Sequence, residues 1–466
     1  MFIPEEVIAN HRSLSDVSAR FLEYVKEIPD FFKQENFPHK NYPDTYQVFK
    51  KYPLQPWPFL VGPEFLSVLA RAAVEVPKLV KSLPERIFGN DPQKIAAYYG
   101  VADVGLVGMH FSPPSGLKDC VSRGDFILGN QGLMCLELNV TTLLGGWQSH
   151  FLKDAYLSNP LLARFVKDSG CQFQSVDPLL ALLRHLFRTS LKAGLAQSGY
   201  LNIGFAIQDG DHDLSTFLEL INSYYRQILE ESGTGVIGKI WGTSYSSGYH
   251  ERSGCLFFKT TRIHVVLEYT GLKIRPHCIY RLFKSGAIGL YNPPVSWFLG
   301  DKRNLALLSR HRDSDLFDEK ERAVIRDHIP WSHELEAGEA QFRGSAIRLP
   351  EYLFENRGDF VIKKGKSFRG DDVHIGTSMS REAWRERVLT ATKEGNWVVQ
   401  EYLSSKPFLA QYGKDGHALF DLVWGIFGFG SEFGGGWIRM LPKSDKGGSI
   451  INSAKGAMEG IILTVS

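Results

Sequence analysis

Three side chains that offer oxygen ligands lie close together in the stretch RGDFILGNQGLMCLELN, in the first third of the chain. Within this stretch, Asn130-Gln131-Gly132 separates two short apolar runs, a pattern typical of a β-hairpin turn. A hairpin centred on Gln131 places Asp125 opposite Glu137, since each is six residues from the centre, with the two Cβ atoms roughly 5 Å apart. Asn139 follows Glu137 by two residues and therefore points to the same face of the strand.

Two facing carboxylates repel each other, so this arrangement costs stability unless a cation lies between them. Asp, Glu and Asn supply only oxygen ligands, which Mg²⁺ prefers together with substrate phosphates and water. The hairpin therefore predicts a magnesium site that works with phosphate. A solvated hairpin face with incidental acids is the alternative, and the geometry of the stretch alone does not decide between them.

The elements that must position these residues change character along the chain. Residues 1–110 show helical spacing, with Pro63 and Pro92 placed to begin helices, and are predicted to form a helical N-terminal segment. From 176 to 300, strands alternate with helices, which predicts a small, mostly parallel α/β domain. A helix then starts at Gly300-Asp301-Lys302, and the later runs FVIKK and WVVQEYL are predicted strands. At 466 residues, we expect two or three lobes rather than one domain.

Composition excludes several classes of function. A net charge of +2 without a basic and aromatic array gives no basis for nucleic-acid binding. No run of 18 or more apolar residues occurs, so no membrane association is expected, and the N-terminal residues lack a signal-peptide pattern. The five cysteines are scattered without a CxxC motif, which predicts neither a disulfide framework nor a zinc site. We therefore expect a cytoplasmic protein, and the sequence leaves its oligomeric state open, with a homodimer as one option.

Two glycine-rich segments resemble nucleotide-binding motifs but fail as such. Gly365-Lys366-Ser367 looks like the end of a P-loop, yet Phe360 stands where that motif needs glycine and a strand is predicted to follow. GIFGFGSEFGGG does not fit GxGxxG and better fits a mobile lid or a strand junction. The first loop still suits a polyanion, although an ordinary basic turn is the alternative. Its basic and glycine residues are Lys363, Lys364, Gly365, Lys366, Arg369 and Gly370.

Taken together in this order, these segments resemble the circularly permuted ATP-grasp family, which includes glutathionylspermidine synthetase. The resemblance covers roughly 123–150 and 277–460, whereas the first hundred residues match no part of it. It implies an α/β fold, the circularly permuted ATP-grasp fold, with a small pre-ATP-grasp domain at 176–300. The metal-binding part would then cover 111–175 and the nucleotide-binding lobes 301–466.

In that family an Asp and an E-x-N pair bind two Mg²⁺ ions, so the resemblance implies that Asp125, Glu137 and Asn139 are metal ligands. The family's arginine just before that Asp corresponds to Arg123. Lys302, in GDKRNLALL, is similar to the lysine that opens the helix after the pre-ATP-grasp domain and contacts phosphate.

A second phosphate-binding lysine ends the strand before the glycine loop of the family, and Lys363 occupies that place. The loop that follows departs from the family pattern. It usually begins with proline and carries a pair of glycines, whereas this chain has Lys364 and Arg369-Gly370. In place of that pattern, Arg369 would serve as a charged phosphate clamp, with Gly370 beside it.

The hinge that reads adenine, largely through main-chain groups, resembles Gln400-Glu401-Tyr402-Leu403. Arg439 and Asn452 are similar to the late Arg and Asn near the transferred phosphoryl group, and Arg439 together with Arg123 would stabilise oxyanions. Each of these residues also has an ordinary interpretation as a surface charge, a strand end or an ion pair. Their joint occurrence in one permuted order is what carries the resemblance.

The resemblance implies an ATP-dependent ligase that uses ATP and two Mg²⁺ ions to join a small-molecule acid to an amine. The acid, usually a carboxylate, would become an acyl phosphate, and the amine would displace phosphate. An enzyme that phosphorylates an enolic oxygen before adding an amino acid, as in making mycosporine-glycine, is a variant within this class. A small-molecule kinase and a nucleotide-binding protein without chemistry are the alternatives outside it.

Overall fold

The computed structural model describes residues 3–28, 52–111, 119–196, 198–207, 214–246, 248–269, 276–367, 370–413, 416–444 and 448–465. Its α-helices are α1 Glu5–Arg12, α2 Asp16–Lys26, α3 Pro63–Phe88, α4 Pro92–Tyr99, α5 Val104–Phe111, α6 Lys153–Leu157, α7 Pro160–Ser169, α8 Pro178–Lys192, α9 Ser215–Ser232, α10 His277–Lys284, α11 Ser296–Leu299, α12 Arg303–Arg310, α13 Glu319–His328, α14 Glu351–Glu355 and α15 Arg381–Glu394. Its strands are β1 Phe59–Val61, β2 Val121–Gly129, β3 Gly132–Asn139, β4 Phe173–Gln174, β5 Ile203–Ile207, β6 Ile240–Ser244, β7 Tyr249–Arg252, β8 Cys255–Phe258, β9 Thr261–Ile263, β10 Val265–Tyr269, β11 Gly289–Tyr291, β12 Ser332–Glu334, β13 Gly338–Phe342, β14 Ser345–Leu349, β15 Phe360–Lys364, β16 Val373–Ile375, β17 Trp397–Glu401, β18 Phe408–Tyr412, β19 Gly416–Phe429, β20 Glu432–Pro442 and β21 Met458–Val465.

An eight-stranded sheet contains four strands from the first part of the chain, β1 to β4, and four from the last part, β18 to β21. Its order is β1-β21-β20-β19-β2-β3, with β18 also paired to β19 and β4 to β21. The glycine-rich segment GIFGFGSEFGGG is the junction of the long β19–β20 hairpin, so the strand-junction interpretation is correct and the lid interpretation is wrong. A Cβ on Gly428 would lie 2.1 Å from the carbonyl oxygen of Ala73 on α3, which explains why glycine is needed where the helix meets the sheet.

The N-terminal helices cover this sheet. Pro63 begins α3 and Pro92 begins α4, as predicted, because proline is well suited to the first turn of a helix. One stripe of α3 is buried in the main core, where Leu69, Val76 and Leu83 are fully buried. The sequence analysis missed β1, which lies in the proline-rich connector KKYPLQPWPFLVGP at 50–63 and pairs in parallel with β21. Across the described part of the chain, no helix has both the length and the apolar character needed to span a membrane.

The parallel sheet predicted between 176 and 300 is present as β11-β10-β5-β6, and all of its ladders are parallel. Helices α8 and α9 follow the predicted alternation. A small antiparallel sheet, β7-β8-β9, was not predicted. Its strands are three or four residues long, too short for a periodic signal in the sequence.

The third sheet with four or more strands, β12-β17-β15-β16, carries the basic loop and is called the third sheet. The predicted strands FVIKK and WVVQEYL form β15 and β17, and helix α12 begins at Arg303 with Lys302 as its N-cap residue. The residues after the loop form β16 instead of a helix, in agreement with the rejection of a P-loop. The hairpin β13–β14 lies beside this sheet, and its tip carries Arg343.

Leu60 on β1 is fully buried between the connector and the main core, so Leu60→Ala leaves a cavity. We expect the substitution to lower the free energy of unfolding by about 2–5 kcal/mol, as measured by urea titration followed by tryptophan fluorescence. Val68→Ala, at a 39% exposed position on α3, is the control and should leave the unfolding curve nearly unchanged. Equal curves for wild type and Leu60→Ala would show that β1 does not anchor the N-terminal helices.

Candidate functional site

The acidic hairpin has the predicted pairing, reached by a different route. Strands β2 and β3 place Asp125 opposite Glu137. The turn consists of Asn130 and Gln131 instead of being centred on Gln131, so a regular ladder would pair Asp125 with Leu136. A β-bulge leaves Leu136 without a ladder partner and restores the facing carboxylates.

Asp125 is held by two arginines. Arg123 donates from Nε to Oδ1 at 2.9 Å and from Nη2 to Oδ2 at 3.1 Å, and Arg439 Nη2 lies 2.8 Å from Oδ2. Asn139 Nδ2 donates to Oδ2 at 3.2 Å, which places it on the same face, as predicted. Burial of this carboxyl favours its neutral form, but Arg123 and Arg439 outweigh that effect and lower the pKa of Asp125.

Glu137 faces a lysine from the far end of the sequence. Lys302 Nζ lies 3.1 Å from Glu137 Oε1 and donates to the Ser367 carbonyl oxygen at 3.0 Å. The Lys302 backbone N–H also donates to the carbonyl oxygen of Gly365 at 2.9 Å, so the start of α12 is bonded to the basic loop. This network holds an ammonium group directly against one of the predicted metal ligands.

Lys363 completes the cation set. Its Nζ donates to the Leu136 carbonyl oxygen at 3.0 Å and to Gln400 Oε1 at 2.6 Å. Burial lowers the pKa of Lys363 to about 8. The negative charge of Glu137 favours the charged form of the lysine, but the neighbouring positive charge of Lys302 offsets part of that effect. Leu136 is the bulge residue, so its carbonyl oxygen is available to Lys363 instead of being used in the strand ladder.

These groups surround one cleft of about 810 Å³. The predicted site residues that line it are Arg123, Asp125, Glu137, Asn139, Lys363, Gly370, Gln400, Glu401, Leu403, Arg439 and Asn452. Lys302 joins the cleft through its ion pair with Glu137. Arg369 lies outside the described residues.

The hinge segment forms one wall of the cleft, and much of its polar capacity is already used. The Glu401 N–H donates to the Trp331 carbonyl oxygen at 2.9 Å, and the Tyr402 N–H donates to the Asp359 backbone carbonyl oxygen at 2.7 Å. The Glu401 carboxylate lies 2.5 Å from Nη2 of Arg343. Since two hinge N–H groups are bonded within the fold, main-chain recognition of a base would depend on the neighbouring groups around Leu403.

Three further residues, Asn452, Lys366 and Lys364, make contacts within the fold. Asn452 lines the cleft, but its Oδ1 accepts a hydrogen bond from the Ala454 N–H at 2.9 Å and caps a short 3₁₀ helix. The Lys366 ammonium lies over the ring of Trp297, 2.6 Å from its centroid, and burial lowers the pKa of Lys366 to about 7. Lys364 lies near Trp397. Neither of these two lysines lines the cleft.

Sequence analysis missed one buried acid in the cleft, Glu459. It lies on β21 opposite Arg439 of β20, and its Oε1 accepts a hydrogen bond from Ser453 Oγ at 3.0 Å. Burial raises the pKa of Glu459 to about 7. The available signal was a single glutamate inside the apolar run MEGIILTV, which is unusual for a core strand.

The charges around the acidic hairpin fit a magnesium polyphosphate. Four cationic side chains surround the two facing carboxylates, and this excess of positive charge suits an anion. Among the described residues, no group of three or more His, Cys, Asp or Glu side chains could hold a metal on its own. Two carboxylates and an amide instead suit Mg²⁺, which takes its remaining ligands from phosphate and water.

No family model matches the sequence, and no curated protein matches it. Among solved structures, the chain is similar to a glutathione synthetase-like effector, GSS30, from Globodera pallida in its apo form. The TM-score is 0.57 at 12% identity, covering 89% of this chain and 90% of that one. A protein assigned as a gamma-glutamylcysteine synthetase from Methylobacillus flagellatus aligns with a TM-score of 0.42 at 11% identity, over 84% and 88% of the two chains. The first similarity shows a shared mixed α/β, ATP-grasp-like fold, whereas the circular permutation and the domain boundaries stay predictions.

The raised pKa of Glu459 predicts a pH-dependent stability. The folded state holds a proton on this carboxyl up to about pH 7, whereas the ordinary value is 4.5, so stability falls as pH rises through that window. Glu459→Gln stays neutral, so at about pH 8.5 its free energy of unfolding should exceed that of wild type by up to about 3 kcal/mol and its unfolding temperature should be higher. At about pH 5 the two proteins should unfold at the same temperature. Differential scanning fluorimetry at both pH values measures this. An equal difference at the two pH values would contradict a raised pKa.

Proposed function

We propose that this chain is an ATP-dependent ligase that joins a carboxylate to an amine. The observation that carries the proposal is the contact between the acidic hairpin and two lysines from the last third of the chain. Lys302 pairs with Glu137, and Lys363 donates to the adjacent Leu136 carbonyl oxygen, so predicted metal ligands and predicted phosphate ligands share one cleft. The ATP-grasp-like fold supports the same assignment.

The nucleotide would lie between the third sheet and the hairpin. The wall near the hinge is apolar and suits a purine base, with Ile127, Val361, Ile375 and Val423 among its lining residues. Lys302 shares its ammonium between Glu137 and the Ser367 carbonyl oxygen, so an arriving phosphate would compete for that ammonium.

Asp125, Glu137 and Asn139 would hold the metal. Mg²⁺, when bound, neutralises the charge that develops on a transferred phosphoryl group. Arg123 and Arg439 are fixed by their bonds to Asp125 and line the same cleft, which places two rigid guanidinium groups where oxyanions of the acid and phosphate would form. A small-molecule acid and amine are thus the substrates of the proposal.

Glu137→Gln and Lys363→Ala should each lower ATP turnover by about 100-fold or more, because the first removes a ligand of the metal and the second removes a cation that acts on the phosphates. ADP release, coupled to pyruvate kinase and lactate dehydrogenase, measures turnover, and circular dichroism checks that each variant is folded. Lys364→Ala is the matched control for Lys363→Ala, since its side chain lies on the other face of β15, near Trp397. Glu339→Gln, at an exposed position on β13, is the control for the acid. Wild-type turnover in Glu137→Gln or Lys363→Ala would rule out its role.

The reaction class is tested by measuring which co-substrates stimulate ADP release by wild type. A panel of free amino acids and dipeptides as acids, combined with a panel of primary amines, should give at least one pair for which ADP release requires both members. Mass spectrometry should then show the condensed product. A phosphorylated acid that accumulates without any requirement for an amine would indicate a kinase instead of a ligase.

A further inference from the structure

We propose that Glu459 is the group that accepts the proton from the amine as the new C–N bond forms. This inference rests on the proposed ligase function and extends it, because the ligase reaction releases a proton for which the residues above provide no acceptor. Glu459 is an acid in the same cleft that no predicted role uses.

The position of Glu459 suits this role. It lies opposite Arg439 in the β20–β21 ladder, and Arg439 contacts Asp125, so one side chain separates Glu459 from the acidic hairpin. The backbone of Glu459 is also bonded to the connector. Its N–H donates to the Pro53 carbonyl oxygen, and its carbonyl oxygen accepts from the Gln55 N–H, each at 2.8 Å. The carboxyl is therefore held on a paired strand at the wall of the cleft.

The bonding of Glu459 differs from that of the structural acids nearby. Asp125, Glu137 and Glu401 each have a cation within 3.1 Å, whereas no ion pair to Glu459 is found within the described ranges. Its carboxyl accepts from the Ser453 hydroxyl instead, and the residue is only 3% exposed. A buried carboxyl without a paired cation costs stability, which a purely structural role does not explain.

The surrounding groups keep this carboxyl able to exchange a proton near neutral pH. The groups facing it are the Ser453 hydroxyl, Arg439 from β20 and Arg123 from β2, with Tyr52 of the connector on the same cleft wall. Burial raises its pKa to about 7, and the Ser453 hydrogen bond and the two arginines offset only part of that effect. A base with a pKa near the working pH combines a useful ionised fraction with adequate proton affinity.

The proton transfer is balanced. The nitrogen lone pair of the amine forms the C–N bond while the C–O bond to phosphate breaks, and its electron pair leaves on the phosphate oxygen. The nitrogen then carries one proton too many, which passes to the Glu459 carboxylate. The resulting neutral carboxyl suits its buried position, and it returns the proton to water through the cleft.

The test compares two nucleophiles in Glu459→Gln. The acid and amine of the panel that give the highest ADP release with wild type are used, and hydroxylamine replaces the amine in a parallel assay that detects hydroxamate. Hydroxylamine is largely unprotonated and weakly basic near neutral pH, so it depends far less on a protein base. We expect ligation to the amine to fall by about 100-fold and hydroxamate formation by less than about threefold, the difference reflecting a lost general base.

The matched control is Asp421→Asn, which alters another acid of the cleft wall whose pKa burial also raises. It should leave the ratio of amine ligation to hydroxamate formation at the wild-type value. In wild type, the rate with the amine should rise with pH to a plateau above about pH 7, and Glu459→Gln should lack that inflection.

A proportional loss with both nucleophiles, or an unchanged pH profile, would overturn the role of Glu459 while leaving the ligase function standing. If wild type forms neither the amide nor the hydroxamate with any acid of the panel, the ligase function itself fails, and the role of Glu459 fails with it. The two failures are therefore distinguishable.

Discussion

The compensation of buried charge in the cleft is the constraint on which the rest of the structure depends. Two carboxylates facing each other on one hairpin would destabilise a folded chain if left alone. Asp125 is neutralised by Arg123 and Arg439, and Glu137 by Lys302. These cations come from β2, β20 and the start of α12, so the charges of the hairpin are compensated only where these three elements meet.

Local signals in the sequence predicted much of this arrangement. Proline at the first turn of α3 and α4 and the apolar run of β15 depend on neighbours within a few residues, and these elements form as expected. The facing of Asp125 and Glu137 was also correct, although two deviations compensated each other: a turn shifted by half a residue and a bulge at Leu136. Sequence spacing specified which side chains meet, but not the backbone path that brings them together.

The features that sequence analysis missed depend on contacts between distant segments. β1 has only three residues, and it becomes a strand because β21 provides a partner about four hundred residues later. Lys366 sits in a basic loop but packs on Trp297, which lies on another element. Glu459 becomes notable only when the fold buries it beside Arg439. Net charge failed in the same way, since +2 overall conceals a hairpin whose two facing carboxylates are surrounded by four cationic side chains.

The extra residue in β3 has a consequence for how this hairpin tolerates insertions and deletions. If Leu136 were lost, a regular ladder would still set the two acids face to face, because the turn would then supply the register that the bulge now provides. What would disappear is the main-chain oxygen to which Lys363 is bonded. Length variation at this point would thus spare the acids yet uncouple the third sheet from the hairpin, so a single backbone irregularity joins the two halves of the cleft.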